Sequence, residues 1–169
     1  MNVETLYNLY SGQIYTLCMR LTANKSFADD VFGETWVKIA EKYRNIDSDR
    51  PPLNWMYSVC INCYKKMRHK EMKTISFRSE DEMEKHIAAI PGSTNLELEY
   101  TDREDMKSIG GALLSLKEIY RVPLILFYFK DLTYKDISGI MKIPIGSVKF
   151  RIHRAKELLR EKLLKEKAL

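Results

Sequence analysis

Apolar residues spaced three and four positions apart run through most of this 169-residue chain, whereas the alternating pattern of strands is scarce. Such spacing gathers apolar side chains on one face of a helix, where other helices can bury them. The first of these stripes consists of Leu6, Leu9, Tyr10, Ile14, Leu17, Cys18 and Leu21. The sequence therefore predicts an all-α fold.

Capping residues and helix breakers indicate where further helices begin and end. Ser26 and Asp29 form a capping box that predicts a second helix running to about Tyr43. A third helix is expected to begin after the pair Pro51-Pro52 and to run to about Lys70. We expect its buried side to consist of Leu53, Met56, Tyr57, Cys60, Tyr64 and Met67.

Residues 78–107 interrupt this periodicity and carry nine acidic against four basic side chains. Together with the turn-forming run PGS at 91–93, this composition predicts a flexible acidic linker between two small helical domains, 1–77 and 108–169. Residues 142–169 carry nine basic and three acidic groups, and residues 1–77 carry 11 and eight. Two basic ends suit a protein with two nucleic-acid contacts, although a merely solvated surface would show the same distribution.

Three cysteines, Cys18, Cys60 and Cys63, form no disulfide framework and indicate a reducing cytosol. Cys60 and Cys63 have the spacing of metal ligands, but no second pair follows, so packing within a helix is the favoured interpretation. The longest apolar run, residues 122–129, is too short to span a bilayer. We therefore expect a cytoplasmic protein without membrane insertion.

Signatures of catalysis are scarce in this chain. The histidines His69, His86 and His153 fall in a predicted helix, in the linker and in the last helix respectively. No glycine-rich phosphate loop or cluster of metal ligands accompanies them. We therefore expect no enzymatic activity, no cofactor and no metal.

A capped helix, a proline-containing turn and a basic helix follow one another near the C-terminus. Thr133 forms a capping box with Asp136, the turn contains Pro144, and the next helix is expected from about Gly146. This order is typical of a helix-turn-helix. Helical spacing places Val148, Ile152, Ala155 and Leu159 on the core side of the second helix. Its outward side carries Gly146, Phe150, His153 and Glu157, flanked by Lys149 and Arg154.

The first turns of this second helix carry cations, which oppose the helix dipole. Lys149 and Arg151 each cost a few tenths of a kcal/mol there, and this indicates a polyanion as partner. We expect Lys149 and Arg154 to reach base edges or phosphates. Arg151, angled toward the core edge, is expected to contact a phosphate or to form a structural ion pair. A merely solvated amphipathic helix is the alternative interpretation.

The C-terminal half contains the motifs YR at 120–121, LTYKDIS at 132–138, IPIGSVK at 143–149 and RIHRA at 151–155. These four motifs closely resemble the fourth conserved region of extracytoplasmic-function sigma factors. The resemblance implies that the second helix lies in the major groove of the −35 promoter element. Phe150 and Lys117 stand where the family often has serine and proline. The candidate −35 contacts are Ser147, Lys149, Phe150, Arg151, His153 and Arg154.

The second helix carries an acidic line formed by Asp30, Glu34 and Glu41, for which a solvated face is one interpretation. The surrounding motif ADDVFGETW, residues 28–36, is similar to the sigma-factor segment that grips the basic clamp coiled coil of the largest polymerase subunit. Gly33 replaces the usual glutamine of that segment. The resemblance implies that these three carboxylates dock core RNA polymerase.

The third helix combines aromatic, amide and basic side chains on the face opposite its buried side. Such a face suits unstacked bases and phosphates, although Trp55 would also serve as a core aromatic. The motif LNWMYSVCIN at 53–62 resembles the family's segment for melting and −10 recognition, with Leu53 and Cys60 replacing phenylalanine and alanine. The preceding loop, 45–52, is then implied to hold a flipped base. The candidate −10 residues are Trp55, Ser58, Asn62, Lys65, Lys66 and His69.

Both resemblances together cover roughly residues 6–70 and 112–164. They imply an alternative sigma factor that binds core RNA polymerase and promoter DNA, both duplex and single-stranded, and helps to open it. They also imply an anti-sigma factor as a further partner. The alternative is a helix-turn-helix regulator independent of the polymerase core, which would explain residues 112–164 only.

Overall fold

The computed structural model describes residues 1–22, 24–75 and 103–168, with all their side chains except those of residues 75 and 103–108. Within these ranges the chain forms α-helices, one short 3₁₀ helix and no strand, so the predicted all-α fold is confirmed. The α-helices are α1 (Val3–Leu21), α2 (Lys25–Lys42), α3 (Pro52–Ile75), α4 (Arg103–Ser115), α5 (Glu118–Phe129), α6 (Tyr134–Met141) and α7 (Ile145–Lys167). The 3₁₀ helix, Tyr43–Asn45, follows α2.

The chain divides into two compact units, Met1–Pro91 and Gly92–Leu169, called unit 1 and unit 2 below. Most of the predicted linker, 78–107, lies outside the described residues, as does His86. Its end, residues 103–107, belongs to α4. No helix in the described ranges is both long and apolar enough to cross a membrane.

In unit 1, α1 packs against α2 and α3, and α2 packs against α3. The core of α1 consists of Leu6, Ile14, Leu17, Cys18 and Leu21. Leu9 was predicted to join this stripe but is 58% exposed, so that prediction was wrong. Leu9 points about 110° away from the middle of the buried stripe, because each residue turns the helix by about 100°.

Helix α2 begins two residues earlier than a capping box at Ser26 would place it. Its N-cap is Asn24, whose side chain accepts a hydrogen bond from the Phe27 amide at 3.2 Å. The capping box between Ser26 and Asp29 was therefore wrong, because asparagine is as good a cap as serine. Asp29 instead accepts a hydrogen bond from the Tyr15 hydroxyl at 3.0 Å.

Helix α3 continues past the predicted end at Lys70 to Ile75, since no helix breaker follows Lys70. Met56, Tyr57, Cys60 and Tyr64 are buried as predicted, and Leu53 and Met67 are half-buried. The sulfur atoms of Cys18 and Cys60 lie 3.5 Å apart, and all three cysteines are free and buried. Their placement supports the interpretation that the thiols pack in a helical core.

In unit 2, helices α4, α5 and α6 all pack against α7. The predicted capping box is confirmed: Thr133 Oγ1 accepts from the Asp136 amide at 3.1 Å, and Asp136 Oδ2 accepts from the Thr133 amide at 3.2 Å. Lys142 ends α6 with a left-handed φ of 56°, and the Ser138 hydroxyl donates to the Ile143 carbonyl across the turn at 2.6 Å. Pro144 then precedes α7. This geometry is that of a helix-turn-helix.

Candidate protein-binding and nucleic-acid-binding faces

An open groove of about 750 Å³ runs between α2 and α3 in unit 1. Its apolar lining consists of Phe27, Val59, Cys63 and Met67. Burial raises the pKa of the Cys63 thiol, so this part of the groove carries no charge at neutral pH. The groove therefore offers an uncharged surface between two helices that carry polar side chains.

Carboxylates and cations from the two helices line the same groove. Asp30 and Glu34 come from α2, while Asn62 and Lys66 come from α3. Asp30 is exposed, Glu34 is half-exposed, and neither forms an ion pair with any residue in the described ranges. The structure thus brings together two residues predicted for docking and two predicted for the −10 face, which the sequence had placed on separate surfaces.

Glu41, the third carboxylate of the predicted acidic line, does not line this groove. It forms an ion pair with Lys38, in which Nζ and Oε2 are 3.0 Å apart. The hydrogen bond from Lys38 to Glu41 raises the pKa of the lysine. Asp30 and Glu34 are therefore better placed than Glu41 to meet a basic partner at the groove.

The face of α3 opposite its buried side carries the residues predicted for unpaired DNA. Asn62, Lys65, Lys66 and His69 are exposed, whereas Trp55 and Ser58 are half-buried. The Ser58 hydroxyl lies 3.3 Å from the Asn54 carbonyl of its own helix. Trp55 is half-buried, so it is not a fully buried core aromatic.

The second helix of the helix-turn-helix, α7, buries the side predicted from its spacing. Val148, Ile152 and Ala155 are buried, and Leu159 is half-buried. On the outward side, Gly146 and Lys149 are exposed and Phe150 is 64% exposed. Ser147 and Arg151 are half-buried, and Arg151 forms no ion pair with the residues that the structure describes. The ion-pair alternative for Arg151 therefore finds no support in this part of the chain.

One carboxylate on the outward side of α7 holds two of the predicted DNA contacts. Arg154 Nη1 donates to Glu157 Oε2 at 3.0 Å, and His153 Nε2 lies 3.2 Å from Glu157 Oε1. The hydrogen bond from Arg154 is the main cause that lowers the pKa of Glu157. Sequence reasoning placed Glu157 on this side but missed its contacts, although spacings of three and four residues on a helix would have indicated them.

Aromatic rings from α5 and α6 support the cations of α7. The ammonium group of Lys149 lies 5.7 Å from the centre of the Tyr134 ring, which stacks on Phe127 at 4.9 Å with planes 9° apart. Lys156 lies over the ring of Tyr128 at 5.0 Å. These contacts join three helices, and no local spacing in the sequence indicates them.

Two family models match the chain, one on each unit. The model described as Sigma-70 region 2 matches residues 6–74, and the model described as Sigma-70, region 4 matches residues 106–159. The first match contains the groove between α2 and α3, and the second contains the helix-turn-helix.

Curated relatives resemble the chain over nearly its whole length. The ECF RNA polymerase sigma factor SigW of Bacillus subtilis (strain 168) is 28% identical over 167 residues, covering 94% of this chain and 87% of the relative. The ECF RNA polymerase sigma factor SigM of the same organism is 25% identical over 162 residues, covering 95% and 94%.

Solved structures show the same fold. The sigma factor RpoE in complex with the anti-sigma factor NepR from Bartonella quintana matches with a TM-score of 0.75 at 20% identity, covering 96% of both chains. CnrH in complex with the cytosolic domain of CnrY matches with a TM-score of 0.64 at 17% identity, covering 95% of this chain and 86% of that chain.

Proposed function

The chain belongs to the sigma-70 family of RNA polymerase sigma factors, in the extracytoplasmic-function subfamily, and we propose that it binds core RNA polymerase, directs it to specific promoters and helps to open the DNA. One observation carries this proposal. Each matched region coincides with a compact unit that exposes a polar, partly basic helix face suited to one part of that task.

Core polymerase docks at the groove between α2 and α3. Asp30 and Glu34 supply negative charge next to an uncharged apolar surface, and neither is held in an ion pair within the described residues. A basic partner helix would satisfy both carboxylates and bury the apolar lining, and complementary charge would speed and orient the encounter. The resemblance of residues 28–36 to the family's clamp-gripping segment supports this role.

The exposed face of α3 binds the unpaired strand at the −10 element. Trp55 offers part of an indole for stacking, and Asn62 offers donors and acceptors for base edges. Lys65, Lys66 and His69 follow along the helix and supply cations for the backbone phosphates. Because Asn62 and Lys66 also line the groove, polymerase docking and strand capture take place on adjoining surfaces.

The −35 element is read by α7. Phe150, His153 and Arg154 project from the side opposite the buried residues, so they reach base edges when α7 enters the major groove. Lys149 and Arg151 contact the flanking phosphates. The first turn of α7 carries no acidic residue that would repel those phosphates.

An anti-sigma factor regulates this activity. RpoE and CnrH, which share the fold, were both solved in complex with partners, NepR as an anti-sigma factor and the cytosolic domain of CnrY. An inhibitor that covers Asp30 and Glu34 would block polymerase docking directly, because the proposed docking uses the same two carboxylates.

The test is transcription with purified components. Adding the protein to sigma-free core polymerase on bacterial genomic DNA, followed by mapping of RNA 5′ ends, should reveal a defined set of start sites. Core polymerase alone should give none of these starts. If the protein binds duplex DNA specifically but neither binds core polymerase nor supports initiation, the polymerase-independent regulator is the correct function.

A further inference from the structure

Glu157 connects two outward-facing donors of α7 through a single carboxylate. One oxygen accepts from Arg154 Nη1 at 3.0 Å and the other lies 3.2 Å from His153 Nε2. The side chains of Arg154 and Glu157 are 41% and 44% exposed, so solvent reaches this contact. An exposed ion pair of this kind adds little to the stability of a fold. Its main consequence is therefore the orientation of the arginine.

A fixed guanidinium plane is what base reading requires. Guanine is recognised by two N–H groups that point together at its O6 and N7 atoms. The planar fork of arginine supplies such a pair once one of its amino groups is anchored, whereas an unanchored arginine reaches the nearest phosphate as readily as a base. Glu157 anchors Arg154 through Nη1 and makes no use of its other N–H groups.

The charge of Glu157 also acts on the DNA. The hydrogen bond from Arg154 lowers the pKa of this carboxyl, so it is ionised at neutral pH. A carboxylate on a DNA-facing surface repels phosphates of every sequence and offsets part of the attraction from nearby cations. A duplex with a correctly placed guanine offsets this repulsion through its contact with Arg154. An unrelated duplex lacks that contact and therefore binds more weakly.

We propose that Glu157 is a positioning residue that sets the sequence specificity of α7, by directing Arg154 to a base edge and by opposing binding through phosphates alone. This inference rests on the proposed reading of promoter DNA by α7. Glu157 acts through Arg154, so its effect on base preference should disappear when Arg154 is absent.

The test is the selection of binding sites from a library of randomised DNA duplexes, made with the full-length protein. Wild type should enrich a guanine at one position, and E157A should reduce that preference about tenfold, the scale of one bidentate base contact. E157A should also bind an unrelated duplex a few-fold more tightly, with a salt dependence steeper by about one unit. E157Q keeps an acceptor oxygen for Arg154 without the charge, so it should retain most of the base preference while gaining the same non-specific affinity.

Two control variants distinguish the positioning of Arg154 by Glu157 from a general effect of removing a negative charge. E161A removes the same charge one turn further along α7, at an exposed residue that forms no ion pair within the described ranges, and should keep the wild-type preference. The double variant R154A/E157A should match R154A at the guanine position, since a residue that works through Arg154 adds nothing once Arg154 is gone.

The outcomes distinguish this inference from the proposed function. If E157A changes the affinity for all duplexes by one common factor and leaves the base preference intact, Glu157 is only a surface charge and the inference is overturned. If wild type enriches no sequence at all, the proposed DNA reading itself fails, and this inference fails with it.

Discussion

The ammonium group of Lys149 lies over the ring of Tyr134, 5.7 Å from its centre. Lys149 thus lies at the flank of the outward face of α7, next to α6, and we expect it to contact a phosphate rather than a base. Lys149→Ala should therefore weaken binding to all duplexes alike and lower the salt dependence by about one unit. Binding to a panel of duplexes at two salt concentrations measures both quantities.

Lys165→Ala is the matched control for Lys149, because it removes the same charge from an exposed position in the last turn of the same helix. It should leave the salt dependence close to that of wild type. A loss of discrimination at one base pair in Lys149→Ala would show instead that this lysine reads a base.

Charge reversal at the groove should prevent assembly with the polymerase. The double variant D30K/E34K places two cations where a basic partner is expected, and should weaken binding to core polymerase by about 100-fold or more. Titration of fluorescently labelled protein with core polymerase measures the affinity, and circular dichroism checks that helical content is unchanged. Glu41→Lys should have a smaller effect, because Glu41 lies outside the groove and already pairs with Lys38. Equal losses from Glu41→Lys, or none from D30K/E34K, would contradict the docking surface.

Replacement of Trp55 and Asn62 together by alanine should impair strand opening while closed-complex formation stays nearly normal. Loss of one base stack costs about 1–3 kcal/mol, which is enough to suppress a marginal melting step. Permanganate reactivity of unpaired thymines measures melting, and a template with a pre-melted bubble should restore initiation. Ser58 is also a candidate −10 residue, but its hydroxyl bonds to its own helix, so Ser58→Ala should reduce melting much less than the double variant. Failure on the bubble template as severe as on duplex DNA would place the defect elsewhere.

Lys142 adopts a left-handed backbone, with φ of 56°, at the end of α6. A side chain with a Cβ is strained there and glycine is not, so Lys142→Gly should stabilise unit 2 by about 0.5–1 kcal/mol after the larger backbone entropy of unfolded glycine is counted. Lys142→Ala keeps the Cβ and should bring no such gain.

Urea unfolding can assign this effect to one unit. Both tryptophans, Trp36 and Trp55, lie in unit 1, so their fluorescence reports that unit, whereas far-UV circular dichroism reports both. Lys142→Gly should move the dichroism transition to higher urea and leave the fluorescence transition in place. A stabilisation seen only by fluorescence would contradict the assignment.

The sequence alone determined the features that depend on neighbours within one or two turns. The capping box of Thr133 and Asp136 and the buried side of α7 at Val148, Ile152 and Ala155 follow from helical spacing, and the structure confirms both. Local capping rules do not decide which residue begins a helix where two good N-cap residues lie close together, as Asn24 and Ser26 do. The three-residue spacing between Leu6 and Leu9 also led to the wrong prediction that Leu9 is buried, whereas its angle on the helix indicates the exposure that the structure shows.

Tertiary structure decided which surfaces adjoin one another. Asp30 and Asn62 share a groove only because α2 packs along α3, and Lys149 meets Tyr134 only because α6 packs against α7. Such contacts join residues on different helices, so they depend on how buried side chains fit between those helices. Helical periodicity indicates which side of each helix is buried but carries no information about that fit. The sequence therefore identified α1, α2, α3, α6 and α7 and most of the buried sides of α1, α3 and α7, and the packing between helices decided how the candidate binding residues are grouped.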